Sequence, residues 1–423
     1  MKWYPRNVEA LLGELVETFP ITVIQGARQV GKNSLADRVL AGRGKVVTFD
    51  DVETRNAADA DIKAFVDQYP SGTLVIDEIQ RCPDVINAVK ASVDRDRRPG
   101  RFVLTGAANL LRLSGDADSL AGRAVTLPLR GLSQGELRSC RDDFVAWLLS
   151  ASAADMQAFR TIATRGDYAR LLSQGGYPEV QRLSPRMAPR WLDSYQERVI
   201  GRDSANIPGG ASRERLAKVA RLIAANQGGE LVKARIAEQA EVAQSTVTAY
   251  LDALEAVYLL GRLPAWSPNL TRREVARPKV FITDSALALR LARVSPTELL
   301  PLGNRVIGGF IEAFVAEELS KQQGWSEAEF SLHHYRDRSG LEVDLILELS
   351  DGRVIGIEVK ASTTHKADHF AGLIQLRDRL GDRFLHGVVL GMAEKGFQYA
   401  ERIHALPISA LWETTAPGLA TVH

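Results

Sequence analysis

The feature that most constrains the fold is a glycine-rich stretch, GARQVGKNS, at residues 26–34. It follows a short β-branched run, ITVIQG, and precedes LADRVLAG, a pattern that predicts a helix. A loop of this kind between a strand and a helix is typical of the phosphate-binding pattern G-x-x-x-x-G-K-[ST], because loop amides and the positive helix end both face the anion. The hydroxyl position of the pattern holds Asn33. We expect the phosphate to be bound by nine residues: Gly26, Ala27, Arg28, Gln29, Val30, Gly31, Lys32, Asn33 and Ser34.

The residues around this loop predict an α/β fold with a parallel sheet. After the first run come three more strand-like segments, KVVTFDD (45–51), GTLVIDEIQ (72–80) and RFVLTGA (101–107), with helical patterns between them. Strands that alternate with helices are typical of parallel sheets, and ligands bind at the carboxyl ends of such strands. The predicted phosphate loop therefore joins a strand to a helix at the edge of the sheet where ligands bind.

The third strand ends in two acidic residues that complete the predicted site. In LVIDE an apolar run delivers Asp77 and Glu78 to the carboxyl end of the strand. We expect Asp77 to hold Mg²⁺ through water, Glu78 to polarise the attacking water, and Lys32 to contact the β- and γ-phosphates. A solvated acidic strand end is the alternative, and the upstream loop argues against it.

Composition limits the remaining possibilities. A chain of 423 residues predicts two to four domains, and 45% hydrophobic with 25% charged residues is typical of a globular protein. No apolar run has the roughly 18 residues of a membrane span, and the first residues lack a signal-peptide pattern, so we expect a cytoplasmic protein with no membrane partner. Two cysteines, Cys82 and Cys140, fit a reducing compartment. A net charge of +1 gives no general attraction to nucleic acid.

On the strength of GARQVGKNS and LVIDE, the first third (1–140) resembles an AAA-type ATPase of the P-loop class, with Walker A and Walker B segments. The resemblance implies ATP and Mg²⁺ as cofactors and a homo-oligomer as a possible assembly. It also implies a γ-phosphate sensor at the end of the fourth strand, Thr105 or in reserve Asn109. Arg123, in SLAGRAVTLPLRGLSQGE, would contact phosphate in its own or a neighbouring subunit, or else serve the structure.

The same resemblance implies an impaired reaction. The usual hydroxyl at the position of Asn33 is a direct magnesium ligand, and the longer amide must reposition to replace it. Ala107 and Ala108 stand where such proteins tend to have small hydroxyl residues. We therefore expect nucleotide to bind and hydrolysis to be slow.

The middle of the chain predicts a helical lid followed by a DNA-binding type of module. Residues 141–207 have mostly helical patterns, interrupted by GGYPEV, and 208–212 form a linker. Within 208–300, helices at 233–238 and 244–256 and two strands in YLLGRLPAW and PKVFITD resemble a winged helix-turn-helix. Such modules contact double-stranded DNA or proteins, and both alternatives stay open. The candidate DNA contacts are Gln244, Ser245, Thr246, Thr248 and the basic stretch TRREVARPK (271–279).

The last segment, 301–423, contains a possible nuclease motif. GLEVDLILELSDGRVIGIEVKAS predicts a hairpin with Asp344 in one strand and Glu358 and Lys360 on one face of the other. This arrangement resembles the restriction-endonuclease-like PD-(D/E)xK fold, in which two carboxylates hold Mg²⁺ and the lysine orients the nucleophile. Glu312, on an upstream helix, matches an additional carboxylate of some members. Solvated charges on an amphipathic strand are the alternative, and His333, His334, His365 and His369 are expected at the surface.

Taken together, the chain resembles a prokaryotic group of AAA-type ATP-binding proteins with a C-terminal domain of unknown function. The expected fold is α/β: a P-loop AAA-type parallel sheet with a helical lid, then a winged helix and a PD-(D/E)xK-like α/β domain. Three functions compete. The first is an ATP-driven conformational switch linked to DNA, with hydrolysis impaired by Asn33. The second is an ATP-regulated, Mg²⁺-dependent nuclease, and the third is a nucleotide-binding scaffold for protein partners.

Overall fold

The structure of the protein is a computed structural model that describes residues 3–106, 120–203, 212–301, 304, 306–337 and 340–414. Asn109, Ala107 and Ala108 lie outside the described residues, as does almost all of the predicted linker. The chain divides into two compact units, Met1–Leu132 with Ala256–Tyr258, and Ser133–Glu255 with Leu259–His423. In the described part of the chain, no helix is long and apolar enough to cross a membrane.

The first unit contains five strands and five helices outside its undescribed segment. The strands are β1 (Ile21–Gln25), β2 (Gly44–Thr48), β3 (Thr73–Asp77), β4 (Phe102–Gly106) and β5 (Ala124–Pro128). The helices are α1 (Glu9–Thr18), α2 (Lys32–Leu40), α3 (Val52–Ala60), α4 (Ile62–Val66) and α5 (Asp84–Arg95). The strands form one parallel sheet in the order β2-β3-β4-β1-β5, which confirms the predicted parallel α/β sheet.

The register of this sheet decides which side chains can meet. Strands β1, β3 and β4 are buried along their whole length, as expected of apolar runs covered on both faces. Thr48 pairs with Asp77, and Ile24 pairs with Thr105, so the carboxyl ends of four strands lie at one edge. The loop at residues 26–31 leaves β1 at that same edge.

The second unit has thirteen described helices and two sheets. Its helices are α6 (Gln134–Leu137), α7 (Phe144–Ser150), α8 (Ala153–Ala158), α9 (Arg165–Gln174), α10 (Ala188–Asp203), α11 (Arg213–Ala225), α12 (Lys233–Ala240), α13 (Gln244–Ala256), α14 (Leu270–Val275), α15 (Ser285–Ala292), α16 (Val306–Gln322), α17 (Asp368–Leu380) and α18 (Ala410–Glu413). Strands β6 (Leu260–Leu263) and β7 (Lys279–Ile282) form an antiparallel pair. The helix predicted at 244–256 is confirmed, and the one predicted from 233 ends two residues later than expected.

The larger sheet of this unit is mixed. Its strands are β8 (Phe330–Arg336), β9 (Glu342–Leu349), β10 (Val354–Lys360), β11 (Phe384–Gly391), β12 (Phe397–Ala400) and β13 (Ile403–Pro407). They lie in the order β12-β13-β11-β10-β9-β8. The predicted hairpin is confirmed as β9 and β10, with Gly352 in its turn at a φ of 79°. Strand β11 is parallel to β10 and is reached through α17.

Helix α16 is the central element of the second unit. It is apolar on nearly all sides, as a helix surrounded by protein should be. Its polar residues are satisfied inside the unit: Glu318 accepts a hydrogen bond from the backbone of Gln134 at 2.7 Å, and Gln322 accepts one from the backbone of Phe144 at 2.9 Å. Gln134, predicted within the ATPase core, and Phe144, predicted near the start of the lid, are therefore both hydrogen-bonded to the C-terminal part of the chain.

Candidate nucleotide site and a carboxylate cluster

The loop at residues 26–31 has the backbone shape of an anion cradle. Gly31 has a φ of 96°, and Gln29 has a φ of 65°, so the chain curls tightly before α2 begins at Lys32. A Cβ atom at Gly26 would overlap the carbonyl oxygen of Leu129, which explains the glycine there. Arg6 donates to the carbonyl oxygens of Val30 (2.9 Å) and Arg130 (2.8 Å) and so holds the loop in place.

The Lys32 side chain is folded back into this loop. Its Nζ donates to the carbonyl oxygens of Gly26 at 3.1 Å and Ala27 at 3.0 Å. Burial lowers the pKa of Lys32 to about 8, although the nearby carboxylates of Glu78 and Asp77 oppose that effect. A phosphate group would add negative charge beside this buried ammonium and raise its pKa.

Asp77 lies at the centre of a hydrogen-bonded group at the same edge of the sheet. Its Oδ2 accepts a hydrogen bond from the Asn33 amide nitrogen at 2.7 Å and one from the Thr48 hydroxyl at 3.1 Å. The Thr105 hydroxyl donates to Oδ1 of Asp77 and lies 3.3 Å from Oδ1 of Asn33. The structure thus brings Asn33, Asp77 and Thr105 together with the loop. Sequence reasoning missed Thr48, because the second strand was predicted to run to residue 51, whereas it ends at Thr48.

Glu78 is restrained by two neighbours. Its backbone is left-handed, with a φ of 54°, and Gln80 donates to its Oε2 at 2.5 Å. The guanidinium of Arg28 lies 3.6 Å from the same oxygen. The carboxylate therefore lies beside the loop in an orientation set by these two contacts.

Arg123 is not brought to this site. It precedes β5, whose first residue pairs with Ile21 at the amino end of β1. The loop leaves the opposite end of β1, five residues or roughly 16 Å further along. The Arg123 guanidinium instead forms a bidentate pair with Asp94, at 2.6 and 3.0 Å. A contact between Arg123 and phosphate bound in its own subunit is therefore corrected to a structural ion pair.

In the second unit, the predicted Glu312, Asp344, Glu358 and Lys360 do lie together, and two further residues join them. We call these six side chains the carboxylate cluster: Lys279, Glu312, Glu342, Asp344, Glu358 and Lys360.

The two lysines of the cluster lie beside different carboxylate oxygens and share Asp344. The Lys279 Nζ donates to Glu312 Oε1 at 2.7 Å and lies 3.1 Å from Glu342 Oε1 and 3.6 Å from Asp344 Oδ1. The Lys360 Nζ donates to Glu358 Oε1 at 2.5 Å and lies 3.9 Å from Asp344 Oδ2. That Asp344 oxygen also accepts a hydrogen bond from the Val359 backbone at 2.8 Å.

The charges of this cluster perturb one another. Burial, and then Asp344, raises the pKa of Glu312 to about 8 and that of Glu358 to about 7. Burial opposes the charge of Lys279, but Glu312 and Asp344 outweigh it and raise the pKa of Lys279. The pKa of Lys360 is also raised, because Asp344 and Glu358 outweigh burial.

The structure also corrects the basic stretch TRREVARPK and the histidines. Lys279 is buried, and Arg273 pairs with Glu348 at 2.5 and 2.7 Å, so only Arg272 and Arg277 of its basic residues are exposed. His334, expected at the surface, is buried and its Nε2 lies 2.9 Å from the carbonyl oxygen of Arg277.

The other three histidines singled out, His333, His365 and His369, are half-buried. Among the residues that the structure describes, no group of three or more His, Cys, Asp or Glu side chains could hold a metal ion as it stands.

The candidate DNA contacts on α13 differ in exposure. Gln244 and Ser245 are exposed, whereas Thr246 and Thr248 are half-buried. The Thr248 hydroxyl accepts a hydrogen bond from Lys233 Nζ at 3.1 Å, which ties α13 to α12.

Comparison with known proteins adds three domain matches. Residues 18–138 match the family described as an AAA domain, and residues 165–298 and 307–411 match two domains of unknown function, DUF8612 and DUF4143. An uncharacterized protein of Mycobacterium tuberculosis is 29% identical over 360 residues, which cover 85% of this chain and 74% of that protein. An uncharacterized protein of Mycobacterium bovis has the same values.

Solved structures are more distant. The Walker-type ATPase PABY2304 of Pyrococcus abyssi aligns with a TM-score of 0.43 and 13% identity, over 67% of this chain and 94% of that one. The RuvB Holliday junction branch migration motor of Thermotoga maritima aligns with a TM-score of 0.27 and 20% identity, over 61% and 89%. The assignment therefore rests on the AAA domain match and on the strand–loop–helix cradle with its lysine and aspartate. Residues 18–138 thus resemble an AAA-type domain of the P-loop class.

Proposed function

We propose that this chain is an ATP-binding conformational switch that hydrolyses its nucleotide slowly. The observation that carries the proposal is the 2.7 Å hydrogen bond from the Asn33 amide to Asp77. It puts a nitrogen donor where a hydroxyl oxygen would face a cation in the usual pattern. We therefore expect this chain to bind ATP but to hydrolyse it slowly.

Binding depends on the loop and on Lys32. When a triphosphate enters, Lys32 exchanges the carbonyl oxygens of Gly26 and Ala27 for phosphate oxygens. The loop amides and the amino end of α2 supply further positive potential. Arg6 keeps the loop in shape through its hydrogen bonds to the carbonyl oxygens of Val30 and Arg130.

The residues present fit a magnesium ion only in part. Asp77 is a suitable oxygen ligand, and Asn33 offers an amide oxygen, but in this arrangement the amide nitrogen is the atom turned to Asp77. Both Asp77 oxygens already accept hydrogen bonds, from Asn33, Thr48 and Thr105. Mg²⁺ bound with the nucleotide would neutralise phosphate charge. Asn33 and Asp77 would hold it once the amide has turned.

The remaining residues have defined tasks in the proposal. Glu78 orients the attacking water, and Arg28 and Gln80 fix its carboxylate. Thr105 senses the γ-phosphate, because its hydroxyl can donate its hydrogen bond either to Asp77 or to a phosphate oxygen. We therefore attribute slow hydrolysis to the coordination of magnesium by Asn33 and Asp77, and not to the positioning of the attacking water by Glu78.

The test is to measure ATP affinity and steady-state ATP hydrolysis with Mg²⁺ for the natural chain and for Asn33→Thr. We expect Asn33→Thr to raise turnover at least tenfold with affinity changed less than threefold. Asp37→Asn is the control: it changes an exposed side chain on the same helix, outside the predicted phosphate contacts, and should change neither quantity. If the natural chain turns ATP over as fast as Asn33→Thr, the amide serves as an adequate ligand and the proposal is wrong.

We also propose that the second unit links the switch to DNA through residues 212–282. Helices α11 to α13 followed by the β6–β7 pair support a winged-helix arrangement, and Gln244, Ser245, Arg272 and Arg277 offer exposed polar and basic groups.

Duplex affinity, measured by fluorescence anisotropy at low and moderate salt, should be salt-sensitive. The double variant Arg272→Ala/Arg277→Ala should weaken it, whereas Arg290→Ala, which breaks a surface pair with Asp193, should not. Absence of salt-sensitive binding would favour the protein-scaffold alternative.

The C-terminal segment is proposed as a PD-(D/E)xK-like fold that does not cleave. The order α16, β8 to β10, α17 and β11 supports the fold, and the position of Lys279 argues against the nuclease alternative. We expect no cleavage of duplex or single-stranded DNA with Mg²⁺ or Mn²⁺. Cleavage that disappears in Asp344→Ala would establish the nuclease instead.

A further inference from the structure

We propose that the ammonium group of Lys279 occupies the position of a divalent cation, and that removing it opens a metal site formed by Glu312, Glu342 and Asp344. The inference does not depend on the nucleotide site. It concerns only the carboxylate cluster of the second unit.

The first argument is geometric. Three carboxylate oxygens from α16 and β9 converge on Lys279 Nζ, at 2.7, 3.1 and 3.6 Å. Hard cations bind such oxygens at about 2.0–2.6 Å, so the three groups need to move inward by only about 1 Å to surround an ion. Carboxylate oxygens without sulfur or imidazole select Mg²⁺, Ca²⁺ or Mn²⁺.

The second argument is electrostatic. Only 4% of the Lys279 side chain is exposed, so this ammonium is an interior charge. Without it, the cations left beside Glu312, Glu342 and Asp344 among the described residues are the outer Lys360, 3.9 Å from Asp344, and the half-exposed Arg336, 3.9 Å from Glu342. Like charges this close and this poorly solvated favour uptake of a cation, which is a metal ion or, at lower pH, a proton.

The third argument is that the backbone holds Lys279 in this position. Lys279 pairs with Leu263 in the β6–β7 pair and forms a bridge with Glu230 on its other side. Gly228 leaves room for the Glu312 carboxyl, whose atoms lie 3.3–3.5 Å from the place where a Cβ would stand. The side chain therefore enters the cluster from a fixed strand, and a shorter or neutral side chain would leave a void lined by carboxylates.

Lys360 supplies a matched comparison. It carries the same charge in the same cluster, but its side chain is 30% exposed and its principal partner is Glu358. Removing Lys360 leaves Lys279 among the three converging oxygens. Lys360→Met should therefore not create the site.

The experiment measures Mn²⁺ binding to the nucleotide-free full chain after chelator treatment, by the electron paramagnetic resonance signal of free Mn²⁺. We expect Lys279→Met to bind Mn²⁺ at least tenfold more tightly than the natural chain. Lys279→Arg and Lys360→Met should behave like the natural chain. Lys279→Met/Glu312→Gln should lose most of the gain, which places the ion in this cluster. Equal binding by the natural chain and Lys279→Met overturns the proposal.

Thermal unfolding keeps the proposal testable if Lys279→Met is unstable. A metal site bound only by the folded chain raises the melting temperature as Mn²⁺ is added. We expect Mn²⁺ to restore folding of Lys279→Met, while NaCl of equal ionic strength does not. A variant that Mn²⁺ fails to rescue, or that salt rescues equally well, contradicts the proposal.

Discussion

ATP affinity should fall steeply as pH rises above about 8, because Lys32 must carry a proton to bind phosphate. Burial in the free loop lowers the pKa of Lys32 to about 8 from its ordinary 10.5. Bound phosphates raise that pKa again, so the complex keeps a proton that the free protein loses. The dissociation constant is then proportional to 1 + 10^(pH − pKa), where the pKa is that of Lys32 in the free protein, about 8. Between about pH 7.5 and 9.5 this is an increase of about 25-fold, or about 2 kcal/mol.

The assay is isothermal titration of MgATP at several pH values in buffers with different ionisation enthalpies. Uptake of a proton on binding, at pH values above 8, should appear as a buffer-dependent heat. Lys32→Arg is the control, because a guanidinium stays charged over the whole range; it should bind less well, with a flat pH profile. A flat profile for the natural chain would refute the reasoning, and would mean that the free ammonium is better solvated than its burial implies.

Two further substitutions test the geometry of the first unit. Gly26→Ala should reduce ATP affinity at least tenfold, since its Cβ would overlap the Leu129 carbonyl and displace the loop; Gly13→Ala in α1 meets no atom within 4 Å and should leave affinity unchanged while stabilising the fold by about 0.5–1 kcal/mol. Arg123→Ala should leave ATP affinity and turnover within twofold of the natural chain, because Arg123 pairs with Asp94 at the far edge of the sheet; a large loss of turnover that depends on protein concentration would instead show that it acts on a neighbouring subunit.

The nucleotide site was predictable because its parts are local. The loop, the strand before it and the helix after it are continuous in sequence, and parallel strands bring Asp77 and Thr105 to the same edge without further information. The role of Arg123 stayed open between a phosphate contact and a structural role, because the sequence did not show at which edge of the sheet its strand begins. Arg6 carried no signal at all, since its partners Val30 and Arg130 are distant in sequence.

The carboxylate cluster was predicted in part. The spacing in the β9–β10 hairpin was enough to bring Asp344, Glu358 and Lys360 together. Lys279 was missed because a lysine in a basic stretch normally lies in solvent. Its burial depends on how the β6–β7 pair meets β9 and α16 within the second unit, and no local pattern encodes that packing.

The two sites share a chemical property that bears on what the chain does. In each, a nitrogen donor of the chain lies against a carboxylate oxygen that a metal ion would need as a ligand. The donor is the Asn33 amide at Asp77 and the Lys279 ammonium at Asp344. An amide can turn its oxygen to an incoming cation at modest cost, so the first site keeps its capacity to bind nucleotide with magnesium. A buried ammonium has no atom that can coordinate a metal ion, so it must leave before a metal ion can bind. The first site is therefore expected to respond to its ligand, whereas the second is expected to stay closed to metal until Lys279 is replaced.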